Sequence, residues 1–299
     1  MHRNCNYRLI VVDHMGKVSD SMGKNILETL WLNSKFFDNC TMGSIQNTSK
    51  IHGLDAAYKI WEEANHTIEN CKGNLEKMNQ GFLSLKRAFN VASSELKKNV
   101  GLDKIRYSGK KKRKDFLADL EYFEITKTLT INKYLKIRNL IEHENETPPL
   151  LEDCLSLSEY IWNYIRTIAN ILRFFSECVI FSQRDYPNNE IYFDYVMKAN
   201  GKEFSPHLYV TGFVKAETIS FIYRDKFLEM NEIKLLNKRD MQELQHLKDS
   251  AHCLNELRDI AFTGEILNQD ILAQYVKYST LPELGGLNER SIQTIFSKI

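Results

Sequence analysis

At 299 residues, 43% hydrophobic and 26% charged, the chain carries enough apolar material for one large or two modest globular domains and too much to remain disordered. Its 40 Lys and Arg against 39 Asp and Glu leave a net charge of +1, which excludes a global attraction for nucleic acid, so any such binding must rest on local patches. No apolar run approaches the roughly 18 residues of a membrane span, and Leu9 to Val12 is too short for a signal-peptide core, so a cytoplasmic location with no membrane partner is expected.

The first segment, residues 1–50, offers a strand over Arg8 to Asp13, a turn near Gly16 and a helix from Ser19 to Phe37 capped by Ser19 or Asp20. The polar stretch Thr41 to His52 then separates this small N-terminal element from a helical region, residues 51–182.

From Leu54 a seven-residue repeat runs through Trp61, Ile68, Leu75, Phe82, Phe89 and Leu96, with Ala57, Ala64, Cys71, Met78, Leu85 and Ala92 three positions later. Such a seam predicts long packed helices. Its unbroken phase favours one continuous helix slightly, and a hairpin broken at Lys72-Gly73-Asn74 is the alternative. Gly109 is followed by five cations, Lys110, Lys111, Lys112, Arg113 and Lys114, which read as an RNA-phosphate grip, as a solvated loop or, in a eukaryotic host, as a nuclear address. A helix from Asp115 to His143 follows. Another, from Leu151 to about Phe181, carries Ile161, Tyr164, Ile165, Ile168, Leu172 and Phe175 at three- and four-residue steps.

The period changes in residues 183–299. Ile191, Phe193, Tyr195 and Met197 alternate, Asn200-Gly201 is a hairpin signal, and Leu208 to Val214 and Thr218 to Tyr223 read as strands. Leu244, Leu247, Ala251 and Leu254 restore a helical pattern before a looser tail. The expected fold is therefore mainly α, a bundle of long helices with a small antiparallel sheet confined to the C-terminal third.

Six scattered cysteines show no C-x-x-C spacing, and His207, His246 and His252 have no carboxylate or Cys at ligand spacing. Reduced thiols, packing or surface histidines and no metal or cofactor are expected. Walker, dinucleotide, nucleophile-elbow and zinc signatures are absent as well. One constellation remains, Arg138-Asn139-Leu140-Ile141-Glu142-His143, at a helix end before Pro148-Pro149. Arg presents five fixed donors that suit phosphate, and His moves protons near neutral pH. Five residues on a helix separate the two by about 140°, so a shared cleft requires the helix to unwind at His143. Arg138 lies seven residues after Ile131, on the expected packed face. Helix capping by Arg and His is the structural alternative.

The six-residue string resembles the R-x(4 to 6)-H motif of the HEPN superfamily, including the polar Asn139 after the Arg, and the long-helix layout from about Leu54 to Ser182 is similar. The resemblance implies a metal-independent endoribonuclease, a toxin or a defence effector, with a composite site formed by a homodimer. Arg138 would contact phosphate, and His143 would assist attack by the ribose 2′-hydroxyl or protonate the leaving oxygen. Asn139 and Glu142 would be supporting residues. RNA and a regulatory or antitoxin protein are the implied partners. Asn145 stands where a subgroup regulated by nucleotidyltransferase antitoxins carries Tyr, which argues against that regulation. The alternatives are a noncatalytic dimerisation module and a nucleotide-sensing one.

Overall fold

The computed structural model describes residues 26–46, 48–108, 116–144, 150–184, 189–201, 203–215, 218–220, 227–235 and 260–280, with the backbone alone at 26–28, 34, 38–39, 46, 48–50, 138–144, 200, 227 and 234–235. The strand expected at Arg8 to Asp13, the helix expected around Leu244 to Leu254, and the C-terminal tail lie outside them.

Six α-helices and one eight-stranded sheet make up the described residues, which corrects the expected fold class. The sheet is neither small nor confined to the C-terminal third. Its strands are β1 (Ile26–Asn33), β2 (Cys40–Gln46), β3 (Ser176–Gln183), β4 (Glu190–Asn200), β5 (Glu203–Val214), β6 (Ile219–Ser220), β7 (Phe227–Leu235) and β8 (Ile260–Glu265). They lie in the order β2-β3-β4-β5-β8-β7-β1-β6, and every pairing is antiparallel. Strands from all three sequence segments thus meet in one sheet.

Two segments read as helix are strands. Ile26 to Asn33 pairs with β7, and its alternation sends Leu30 and Leu32 into the core while Thr29 and Trp31 stay half-buried. Ser176 to Gln183 pairs on both edges, with β2 and β4, and buries Val179 and Phe181. Short apolar runs rich in β-branched and aromatic residues suit either structure alone, and a distant partner decides between them. The polar stretch beginning at Thr41 supplies β2 rather than a separator.

The helical seam is a hairpin, not one continuous helix: α1 (Asp55–Glu69) and α2 (Leu75–Val100) are separated by Lys72 and Gly73 at φ 49° and 80°. The Asn74 side chain then caps α2 by accepting from the Lys77 N–H at 3.0 Å. Most of the seam survives the break, since Ala57, Ala64 and Ile68 of α1 and Met78, Phe82, Leu85, Phe89, Ala92 and Leu96 of α2 are buried, but Leu75, the first seam position of α2, is 55% exposed. Gly81 allows the close approach. A Cβ there would sit 2.5 Å from Ile68 Cγ1 and 3.2 Å from the Ala64 carbonyl oxygen.

The helix expected from Asp115 to His143 is likewise two, α3 (Phe116–Tyr122) and α4 (Leu129–Glu144), broken where Glu124 takes φ 57° and pairs with Lys277 at 2.6 Å. The next helix, α5 (Leu151–Phe174), ends before β3, and α6 spans Gln269–Ser279.

α1, α2 and α5 pack on one another: the Phe89 ring stacks on Tyr164 at 4.5 Å, and Trp61 Nε1–H donates to the Ser158 carbonyl at 2.9 Å. This helical layer joins the sheet through one continuous core. At the junction the Tyr195 hydroxyl of β4 donates to the Val100 carbonyl at 2.5 Å, and the Tyr275 hydroxyl of α6 donates to the Ser176 carbonyl at 3.1 Å. Among the described residues, no helix is long and apolar enough to cross a membrane.

Candidate functional site

α4 starts after Thr128, whose carbonyl accepts the first helical bond from Asn132 N–H at 2.9 Å. Thr128 is held in turn, as its own N–H and hydroxyl both donate to Glu121 Oε1, at 3.0 and 2.6 Å. Those two bonds, hydroxyl first, hold the Glu121 carboxyl below the usual carboxylate range. Ile131 and Tyr134 bury the first half of α4, and the Tyr134 ring meets Phe82 edge-on at 6.1 Å. Lys133 donates to Asp153 near the start of α5 at 3.2 Å.

Glu144 ends α4 eleven residues beyond Lys133, or about 16 Å along the axis at ~1.5 Å per residue. Arg138, Asn139, Glu142 and His143 occupy that stretch, and their side chains lie outside the described residues. The unwinding at His143 that a shared cleft on one chain requires does not occur, because the backbone stays helical through Glu144. Positions 138 and 143 are therefore about 140° apart around one continuous helix.

Lys110, Lys111, Lys112, Arg113 and Lys114 also lie outside the described residues. The segments that flank them are anchored. Ser108 donates from its N–H and its hydroxyl to the two Asp270 carboxylate oxygens, each at 2.8 Å, and Lys97 Nζ lies 4.0 Å above the Phe116 ring.

A second constellation has no counterpart in the sequence reading. Along β5 the even residues Pro206, Leu208, Val210 and Gly212 face the core, while Ser205, His207, Tyr209 and Thr211 lie half-buried on the opposite face. On that face Ser205 Oγ is 2.9 Å from His207 Nε2, and His207 Nδ1 is 2.5 Å from Glu265 Oε1. Register makes the arrangement: Glu265 is the cross-strand partner of Tyr209, two residues from His207 on the same face. The His207 and Tyr209 rings lie nearly parallel, 6.2 Å apart, and Lys198 Nζ sits 4.4 Å above the Tyr209 ring. Burial first, and then the Glu265 carboxylate, push the Tyr209 phenol above its usual range. Spacing along the sequence does not show the Glu265 partner of His207, which lies 58 residues away. The only local hint is the Ser-x-His alternation in a strand.

Among the described residues, no group of three or more His, Cys, Asp and Glu side chains is arranged to hold a metal ion. Comparison with family models, curated proteins and solved structures found no match to this chain.

Proposed function

We propose that the protein is a metal-independent endoribonuclease of the HEPN type, acting as a toxin or defence effector, with Arg138 and His143 as its phosphate-binding and proton-transferring groups. The observation that carries the reading is the pairing of these two residue types on the closing turns of α4, directly ahead of the long helix α5. Asn139 and Glu142, in the same turns, support the pair. The helical continuity of α4 adds a physical reason for two protomers. Two groups about 140° apart on one helix do not converge on a single phosphate, whereas the ends of two facing α4 helices can enclose one. Arg138 then neutralises charge on the scissile phosphate while His143 takes the 2′-hydroxyl proton or protonates the leaving oxygen. The Lys110 to Lys114 run adds sequence-independent attraction for the RNA backbone. A regulatory or antitoxin protein would restrain the activity.

The same continuity favours a second reading, a noncatalytic dimerisation or nucleotide-sensing module in which Arg138 and His143 serve the helix end. Arg138→Ala and His143→Ala separate the two. The nuclease reading expects RNA cleavage and cell toxicity to fall at least about 100-fold in each variant, with oligomeric state and melting temperature kept. The noncatalytic reading expects loss of assembly or stability; unchanged cleavage in either variant removes the nuclease assignment.

A further inference from the structure

We infer that Ser205, His207 and Glu265 form a second reactive site, in which Ser205 is a nucleophile toward small carboxylic esters or comparable acyl donors. The hydrogen bonds have a direction. A carboxylate only accepts, so with the imidazole neutral Glu265 Oε1 takes the Nδ1–H of His207 at 2.5 Å and leaves the Nε2 lone pair facing Ser205 Oγ at 2.9 Å. The Ser205 hydroxyl is thereby the donor, and its proton already points at the base that would remove it. These are the contacts that a serine nucleophile, its general base and the group orienting that base require.

The Glu265 side chain is 10% exposed, whereas His207 and Ser205 are both half-buried, so an incoming molecule meets the hydroxyl and the imidazole before the carboxylate. Lys198 is directly opposite Ser205 in the β4–β5 register, and its Nζ lies over the Tyr209 ring, so the same face carries a cation beside the chain of bonds.

In the reaction, Ser205 Oγ bonds to the acyl carbon and its proton passes to His207 Nε2. The tetrahedral intermediate collapses, the C–O bond to the alcohol breaks, and the alcoholate takes that proton. Water then attacks the acyl-Ser205 ester, gives a proton to Nε2, and Ser205 regains it as the carboxylic acid leaves. Ser205 and His207 are the catalytic residues, and Glu265 is a positioning residue.

The test treats the full-length protein with a fluorophosphonate probe and with p-nitrophenyl acetate, and locates adducts by mass spectrometry. The expected result is a stoichiometric adduct on Ser205 and an ester-hydrolysis burst. Both should be absent in Ser205→Ala and slowed at least about 100-fold in His207→Gln. Ser205→Ala, a small change at a half-buried strand position, keeps the result readable should His207→Gln fail to fold. Glu265→Gln, which retains an acceptor at Nδ1 without the charge, is expected to slow labelling and to shift the downfield His207 Nδ1 proton resonance in NMR spectra. His143→Ala should label at the wild-type rate, so failure here is distinguishable from failure of the nuclease reading. Absence of a Ser205 adduct on the folded protein, or equal labelling of Ser205 in wild type and His207→Gln, would overturn the inference.

Discussion

Replacing Tyr195 with Phe tests the joint between helices and sheet with little change in volume. Tyr195 is 6% exposed, and its ring lies 5.0 Å from Phe175 and 6.1 Å from Tyr275, contacts that the Phe ring keeps. Burial holds the phenol well above its usual range, so it remains a hydrogen-bond donor at any ordinary pH. What is lost is the bond to the carbonyl of Val100, a residue only 1% exposed and among the last four of α2, whose carbonyls have no donor within the helix. Stranding a buried acceptor costs about 1–3 kcal/mol. At ~2.1 cal/mol/K per residue, 299 residues give an unfolding entropy of about 0.6 kcal/mol/K, so a loss near 2 kcal/mol lowers the melting temperature by about 3 °C. Urea titration should show a lower midpoint at unchanged slope. A loss under about 0.5 kcal/mol at the same slope would mean that water reaches the Val100 carbonyl, and the shared core between α2 and β4 would be refuted.

Three further outcomes follow from the same structure. Asp194 faces Cys178 across the β3–β4 register, and burial raises its carboxyl pKa above the usual value, with the Cys178 thiol donor opposing that rise. A raised folded-state pKa means that the native state holds the proton longer, so Asp194 lowers stability as pH rises from about 4 through its folded value. Asp194→Asn should therefore raise the melting temperature at pH 7 and leave it nearly unchanged at pH 3; equal shifts at both would contradict the assignment. Gly101 ends α2 at φ 65°, and a Cβ there would sit 2.7 Å from the Met197 methyl. Gly101→Ala should cost about 1–2 kcal/mol in chemical denaturation, and a neutral result would exclude the left-handed cap. The Cys154 thiol is fully buried and pushed up to about 11 by burial first and Asp153 second. Site-resolved alkylation at pH 8 should find it unmodified until the protein unfolds, and rapid native labelling would contradict the packing of α5.

Elements whose pattern is local were legible in the sequence. The buried stripe of α5 and the β4–β5 hairpin turning at Asn200-Gly201 match their periodicities, and most seam positions of α1 and α2, Leu75 excepted, are buried although the chain turns at Gly73. Elements defined by remote pairing were not legible. Ile26 to Asn33 is a strand because Phe227 to Leu235 lies beside it, and Ser176 to Gln183 because Cys40 to Gln46 does. Neither partner is visible within a window of one or two turns. The two candidate sites divide in the same way. Arg138 to His143 is a contiguous string that can be found without a fold, whereas Ser205, His207 and Glu265 are assembled only by the β5–β8 register.

Metal-independent cleavage of RNA by Arg138 and His143, as proposed above, is tested in a single assay: end-labelled RNA incubated with purified protein in excess EDTA, wild type beside His143→Ala, with fragments resolved by gel. Cutting by the wild type and intact RNA with the variant are the predicted results. Equal cutting by both proteins, or intact RNA with both, would contradict the claim.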